Sequence, residues 1–205
     1  SFPTRRSSDL GRRSEYGVLK MLAATAYIVL ALYLGAEGTV YGRLVLVALT
    51  LSWLGDLFLI GTGRAFLAGL GSFLAAHLAY AAAFLVRGVD GVPAIVGAAV
   101  MVAVGLSTLR WLHREELPAR YRAPVAAYVT AIGVMVALAL ATAWPDLVAG
   151  GELVWTGRAL ILGAGLFAVS DILVARQRFV EESAWNRLAG LPLYFAGQLL
   201  LAWTV

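Results

Sequence analysis

The chain has 205 residues, of which 61% are hydrophobic and 14% charged, and its mean hydropathy is +0.83. That balance excludes an ordinary soluble domain, and apolar runs of roughly 18 to 22 residues, each able to cross about 30 Å of hydrocarbon as a helix, exclude a barrel of short alternating strands. The formal charge of +4 sits in connections between apolar runs, where membrane topology demands it, so it does not signal a nucleic-acid binder; with no cysteine, disulfides, thiolate nucleophiles and cysteine metal sites are excluded.

In chain order, Ser1 to Leu10 (SFPTRRSSDL) match the translation of a common sequencing adapter and are expected to be an artefact, so the natural start of the protein is expected upstream. Residues 11–205 read as one domain. Seven apolar segments follow, at about 18–35, 43–60, 65–86, 92–112, 122–143, 157–175 and 187–204. Their short connections predict an all-α, polytopic transmembrane bundle running up and down. One set of helix ends carries Arg12, Arg13, Lys20, Arg64, Arg110, Arg114, Arg120, Arg122, Arg176, Arg178 and Arg187, whereas the other carries Arg43, Arg87 and Arg158. The basic excess marks the first set as cytoplasmic. Small residues at Ala68, Ser72 and Ala76, and at Gly163 and Gly165, are expected at close helix crossings. Segments 55–80 and 170–198 echo each other weakly, each opening on a small residue followed by Asp and running through Arg and Phe to a glycine.

An ionisable side chain inside a span costs several kcal/mol unless it lines a cavity or finds a partner. Only two acidic residues fall within spans, Asp56 and Asp171, both about one turn before the cytoplasmic end of an inward-running helix. A shared polar site is the preferred reading; the competing one has each carboxylate snorkelling to Arg64 or Arg176. His77 lies near the middle of the third segment, on a face with Gly69, Phe73, Tyr80 and Phe84, whereas His113 falls in a charged connection and reads as solvated. With one intramembrane histidine, a three-histidine zinc site is excluded and neither metal nor cofactor is expected, a mixed site of His77 with the two aspartates being the arrangement left over. Ser52 lies one turn before Asp56, and Tyr194 one turn before Gln198, so each pair presents two hydrogen-bonding groups to one face. Lys20 is the sole lysine among sixteen basic residues. A compact ammonium is therefore expected to matter there, with a lipid phosphate or the aspartate pair as its partner.

The strings WLGDLFLI (53–60), FLAGLGSFLAAHLAY (66–80), GAGLFAVSDILVA (163–175) and PLYFAGQ (192–198) together resemble the YhhN family, membrane proteins that include the animal lysoplasmalogenases. The resemblance runs from about Lys20 to the C-terminus, and Tyr128 and Met135 also fit it. The family is drawn with eight helices and its lysine precedes the second, so the resemblance implies one further span before the seven visible ones. It also implies hydrolysis of the vinyl ether bond of a membrane lipid substrate, with Asp56 and Asp171 as general acid and base in unassigned order. His77, Tyr80, Tyr194 and Gln198 would then orient water and substrate, Lys20 would hold the lipid phosphate, and Ser52, Tyr128 and Ser170 would complete the site. A different ether lipid, or a lipid-binding or transport protein using the aspartate pair as a proton relay, is the alternative. Arginine, alanine and leucine richness suggests a GC-rich bacterial genome and the inner membrane.

Overall fold

The computed structural model describes residues 5–61 and 63–205, with residues 5–14 as backbone alone, so the first four residues of the segment read as adapter lie outside the described residues. Seven α-helices follow in order: α1 (Arg5–Tyr33), α2 (Val40–Leu59), α3 (Arg64–Arg87), α4 (Gly91–Arg114), α5 (Ala119–Ala149), α6 (Leu153–Phe179) and α7 (Ala184–Trp203), with a short 3-10 turn at Ala36–Gly38. They stand where the seven apolar segments predict them, and no strand occurs among the described residues. The chain is an integral membrane protein: α1 to α6 are each long and apolar enough to cross a bilayer. The last predicted span, α7, forms but falls short of that apolarity, because Asn186, Arg187, Pro192 and Gln198 interrupt it.

Local chemistry sets several helix ends. Thr39, Asp90 and Ser183 cap α2, α4 and α7, their side-chain oxygens accepting from the backbone N–H of Gly42 (2.9 Å), Val92 (3.0 Å) and Trp185 (3.2 Å). Helix α5 runs six residues past its predicted end, through Pro145. Proline removes the bond to the Ala141 carbonyl, and the Asp90 N–H from the α3–α4 connection takes that carbonyl instead, at 3.0 Å.

The antiparallel pairs α2–α3 and α6–α7 are the most extensively packed, α5 lies against α3, α4 and α6, and α1 against α2 and α7; α4 rests on α5 at the periphery. Helices α6 and α7 cross on glycine. A Cβ added at Gly197 would stand 2.9 Å from the Gly163 carbonyl oxygen and 3.0 Å from the Phe167 nitrogen, both backbone atoms. The expectation for Gly163 therefore holds, whereas Gly165 faces open space and serves no close crossing. At one end of the bundle Arg87 ties α3 to α5 and α7, donating to Asp146 Oδ2 (2.9 Å) and to the Thr204 carbonyl (3.2 Å). The site occupies the other end.

Gly197→Val should therefore force α6 and α7 apart and destabilise the protein by about 1–3 kcal/mol, read as a lower midpoint of thermal unfolding in detergent, while Gly165→Val leaves the midpoint nearly unchanged.

Candidate active site

Between the middle of α1, the N-terminal halves of α3, α5 and α7 and the C-terminal ends of α2, α4 and α6, a cavity of about 540 Å³ opens. Asp56 and Asp171 both line it, together with Lys20, Tyr128, Ser170 and Tyr194. Arg178 and Arg187, both exposed, line the same cavity from the end of α6 and the start of α7.

Each carboxylate is held differently. The Lys20 ammonium lies 3.0 Å from Asp56 Oδ1 and donates also to the Asp56 main-chain carbonyl at 3.3 Å, the two side chains being 8% and 2% exposed. Asp56 Oδ2 accepts from the Tyr194 hydroxyl at 2.7 Å and from Tyr27 at 3.4 Å, and the two hydroxyls lie 3.3 Å apart. Lys20 is thus paired with the aspartate, one of the two partners expected for it, and is engaged rather than presented to a phosphate. The ammonium and the two hydroxyls give both oxygens of this buried carboxyl group a partner.

Among the described residues, no lysine or arginine pairs with Asp171. Its Oδ2 accepts from the Tyr128 hydroxyl at 3.2 Å and lies 3.1 Å from Nε2 of the fully buried His77. The His77 ring stacks on Phe167 with 4.4 Å between centroids, and its Nδ1 donates to the Phe73 carbonyl at 2.7 Å. Neither aspartate pairs with Arg64 or Arg176, the snorkelling alternative; Arg176 pairs instead with Glu181 at 3.0 Å.

Four residues expected in the site sit off the cavity wall: His77, behind Asp171, and Tyr80, Gln198 and Ser52. Tyr80 donates to Gln198 Oε1 (2.6 Å), whose amide donates to Ser52 (3.4 Å), which joins α3, α7 and α2 in one buried chain of bonds. Ser170 turns its hydroxyl back to the Phe167 carbonyl at 2.7 Å although it lines the cavity. His113 is exposed, as its charged surroundings predict. Sequence reasoning missed Tyr27, which it left as an ordinary span tyrosine. Its signal was the seven-residue spacing from Lys20, two helical turns, which puts both side chains on the face that meets Asp56.

The echo between segments reappears in space. Each aspartate accepts from a tyrosine on the helix before its own, Tyr27 of α1 for Asp56 and Tyr128 of α5 for Asp171. Each is then met by a residue of the helix that follows the other aspartate: Tyr194 of α7 meets Asp56, and His77 of α3 meets Asp171.

Fold and site together define an α-helical membrane protein with two intramembrane carboxylates lining one cavity. The chain belongs to the YhhN family, whose model matches residues 17–205. It is 33% identical over 174 residues to the lysoplasmalogenase TMEM86B of Rattus norvegicus, covering 85% of this chain and 66% of that protein. It is 31% identical over 164 residues to the lysoplasmalogenase TMEM86A of Bos taurus (77% and 63% covered), and 31% over 147 residues to a lysoplasmalogenase of Mycobacterium tuberculosis (67% and 49% covered). The chain thus spans between about half and two thirds of the length of these curated relatives. No solved structure matches it.

Because removing one partner of a buried ion pair leaves an uncompensated charge, Lys20→Met should destabilise the fold by about 3–5 kcal/mol. The double variant Lys20→Met/Asp56→Asn should recover most of that loss, and thermal unfolding of the two variants beside the parent reads the difference.

Proposed function

We propose that the protein hydrolyses the vinyl ether bond of single-chain ether lipids of the lysoplasmalogen class, releasing a fatty aldehyde and a glycerophospho head group. The observation that carries this reading is the pair of aspartates lining one cavity, one ion-paired with Lys20 and the other set against the His77 imidazole. The names of the relatives point to the same substrate class.

A vinyl ether is cleaved by protonation of its β-carbon, which generates an oxocarbenium ion; water adds to that cation, and the hemiacetal collapses to aldehyde and alcohol. The reaction needs one proton donor and one anion beside the developing positive charge, the division of labour that paired carboxyl groups perform in glycoside hydrolysis. Placing both between apolar helices strengthens every such electrostatic interaction, because the surrounding medium has a low dielectric constant.

The cavity's size favours one chain. At about 540 Å³ and walled mostly by apolar side chains, it suits one fatty chain. Arg178 and Arg187 at the exposed end suit the head-group phosphate, a role that passes to them because Lys20 is engaged with Asp56. The excess of basic residues at this end supports a cytoplasmic orientation for it by the positive-inside rule, and a bacterial inner membrane is the membrane this reading assigns.

Purified protein incubated with a lysoplasmenyl lipid should release fatty aldehyde, and Asp56→Asn and Asp171→Asn should each lower the rate by about 10²–10⁴-fold while remaining folded. A folded parent that releases no aldehyde, or isosteric variants that release it at the parental rate, would overturn this reading.

A further inference from the structure

We propose that the connection between α6 and α7 reads the lipid head group, with Arg178 and Arg187 taking its phosphate and Glu182 as the specificity-determining residue that takes a primary ammonium. This rests on the lysolipid reading of the same cavity and names the head group within that class, a phosphoethanolamine.

The connection is tied down from both sides. The N–H groups of Val180 and Glu181 both donate to the Arg176 carbonyl, at 3.0 and 2.9 Å. Asn186, buried in the first turn of α7, donates through its amide to the Glu181 carbonyl (2.9 Å) and to Gln177 Oε1 (3.3 Å), and accepts from Arg176 (3.5 Å). Gln177 Oε1 accepts also from the Ser183 N–H at 2.9 Å. The backbone that carries the charged side chains of this turn is therefore ordered before any ligand arrives, which lowers the cost of binding one.

Those charges divide into two sets. Arg176 and Glu181 pair with each other at 3.0 Å, and neither lines the cavity. Arg178, Glu182 and Arg187 all line it, and among the described residues none of the three has an ion-pair partner. The Arg178 guanidinium lies 4.5 Å from the centroid of the Phe66 ring, which belongs to the same cavity wall. Two guanidinium groups and one carboxylate on one cavity match a ligand that carries an anion and a cation side by side. The planar donors of arginine suit phosphate oxygens. A bare phosphate monoester would satisfy the arginines but would set a like charge before Glu182, whereas an ammonium two carbons from the phosphate gives that carboxylate a partner.

The surroundings select the kind of ammonium. A primary ammonium donates N–H bonds to a carboxylate, whereas a quaternary one has no N–H and is held on aromatic faces. Of the rings lining this end of the cavity, Phe66 is covered by Arg178 and Phe179 packs against Tyr121 with 5.3 Å between centroids. That leaves Tyr16, and a single ring makes no cage.

Binding of saturated 1-O-alkyl lysolipids carrying phosphoethanolamine, phosphocholine or phosphate alone, measured by calorimetry on the full chain in detergent, reads head-group choice with no vinyl ether to cleave. The phosphoethanolamine form should bind the parent about tenfold tighter than the phosphocholine form, and Glu182→Gln should bring the two within about twofold of each other. Glu182→Lys should tighten the bare phosphate form and weaken the phosphoethanolamine one, each by about tenfold, and Arg187→Gln should weaken all three. Equal binding of the ethanolamine and choline forms by the parent, the parental ratio retained in Glu182→Gln, or no binding of any form would each overturn the assignment. Head-group preference without aldehyde release from a lysoplasmenyl lipid would sink the proposed reaction alone. Aldehyde released by a parent that shows no preference would sink the head-group assignment and leave the reaction standing.

Discussion

A carboxyl group inside an apolar helical bundle must be supplied with partners, and this chain meets that demand with two different sets of them around one cavity. Asp56 has an ammonium at 3.0 Å and two tyrosine hydroxyls, a set of donors drawn from α1 and α7. Asp171 has a tyrosine and an imidazole whose other nitrogen is already committed to the backbone. The bundle architecture follows from that need, because the groups that satisfy each aspartate come from helices far apart in sequence. Lys20 and Asp56 are 36 residues apart, and Tyr194 and Asp56 are 138 apart. Were α6 and α7 not able to meet on Gly163 and Gly197, the helix carrying Tyr194 would not lie close against the helix carrying Asp171.

The crosswise pattern gives the site its asymmetry. In each half a tyrosine on one helix serves the aspartate of the next, and a group on the third helix serves the aspartate of the other half. Equivalent positions are thus filled by different chemistry, Tyr194 against Asp56 and His77 against Asp171. The aromatic rings between them, Phe73, Phe167 and Tyr194, pack edge to face and fix the spacing.

Much of this was legible in the residues. Seven apolar segments gave seven helices, and the rarity of charge within spans singled out Asp56, Asp171 and His77, which the fold gathers around one cavity. What could not be read was pairing between distant helices. Tyr80 and Gln198 carry the polar groups of a substrate pocket, but packing turns them toward each other and Ser52, behind the site. Tyr27 looks like any span tyrosine until its distance from Lys20 is counted in helical turns. The persistence of α5 through Pro145 depends on a donor more than fifty residues away, the Asp90 N–H, which no local pattern announces. Gly165 failed for a related reason: small residues permit a close crossing, and a neighbouring helix must be there to use it.

The central claim is that a group fixed on one wall of the cavity delivers a proton to carbon. Hydrolysis of a lysoplasmenyl lipid in deuterated water, with the aldehyde trapped as it forms, tests this most directly. The account predicts one deuterium at the carbon next to the carbonyl, on a single stereochemical face, because the donor cannot change sides during the transfer. Deuterium distributed equally over both faces would mean that the carbon is protonated free in solution, and would contradict it.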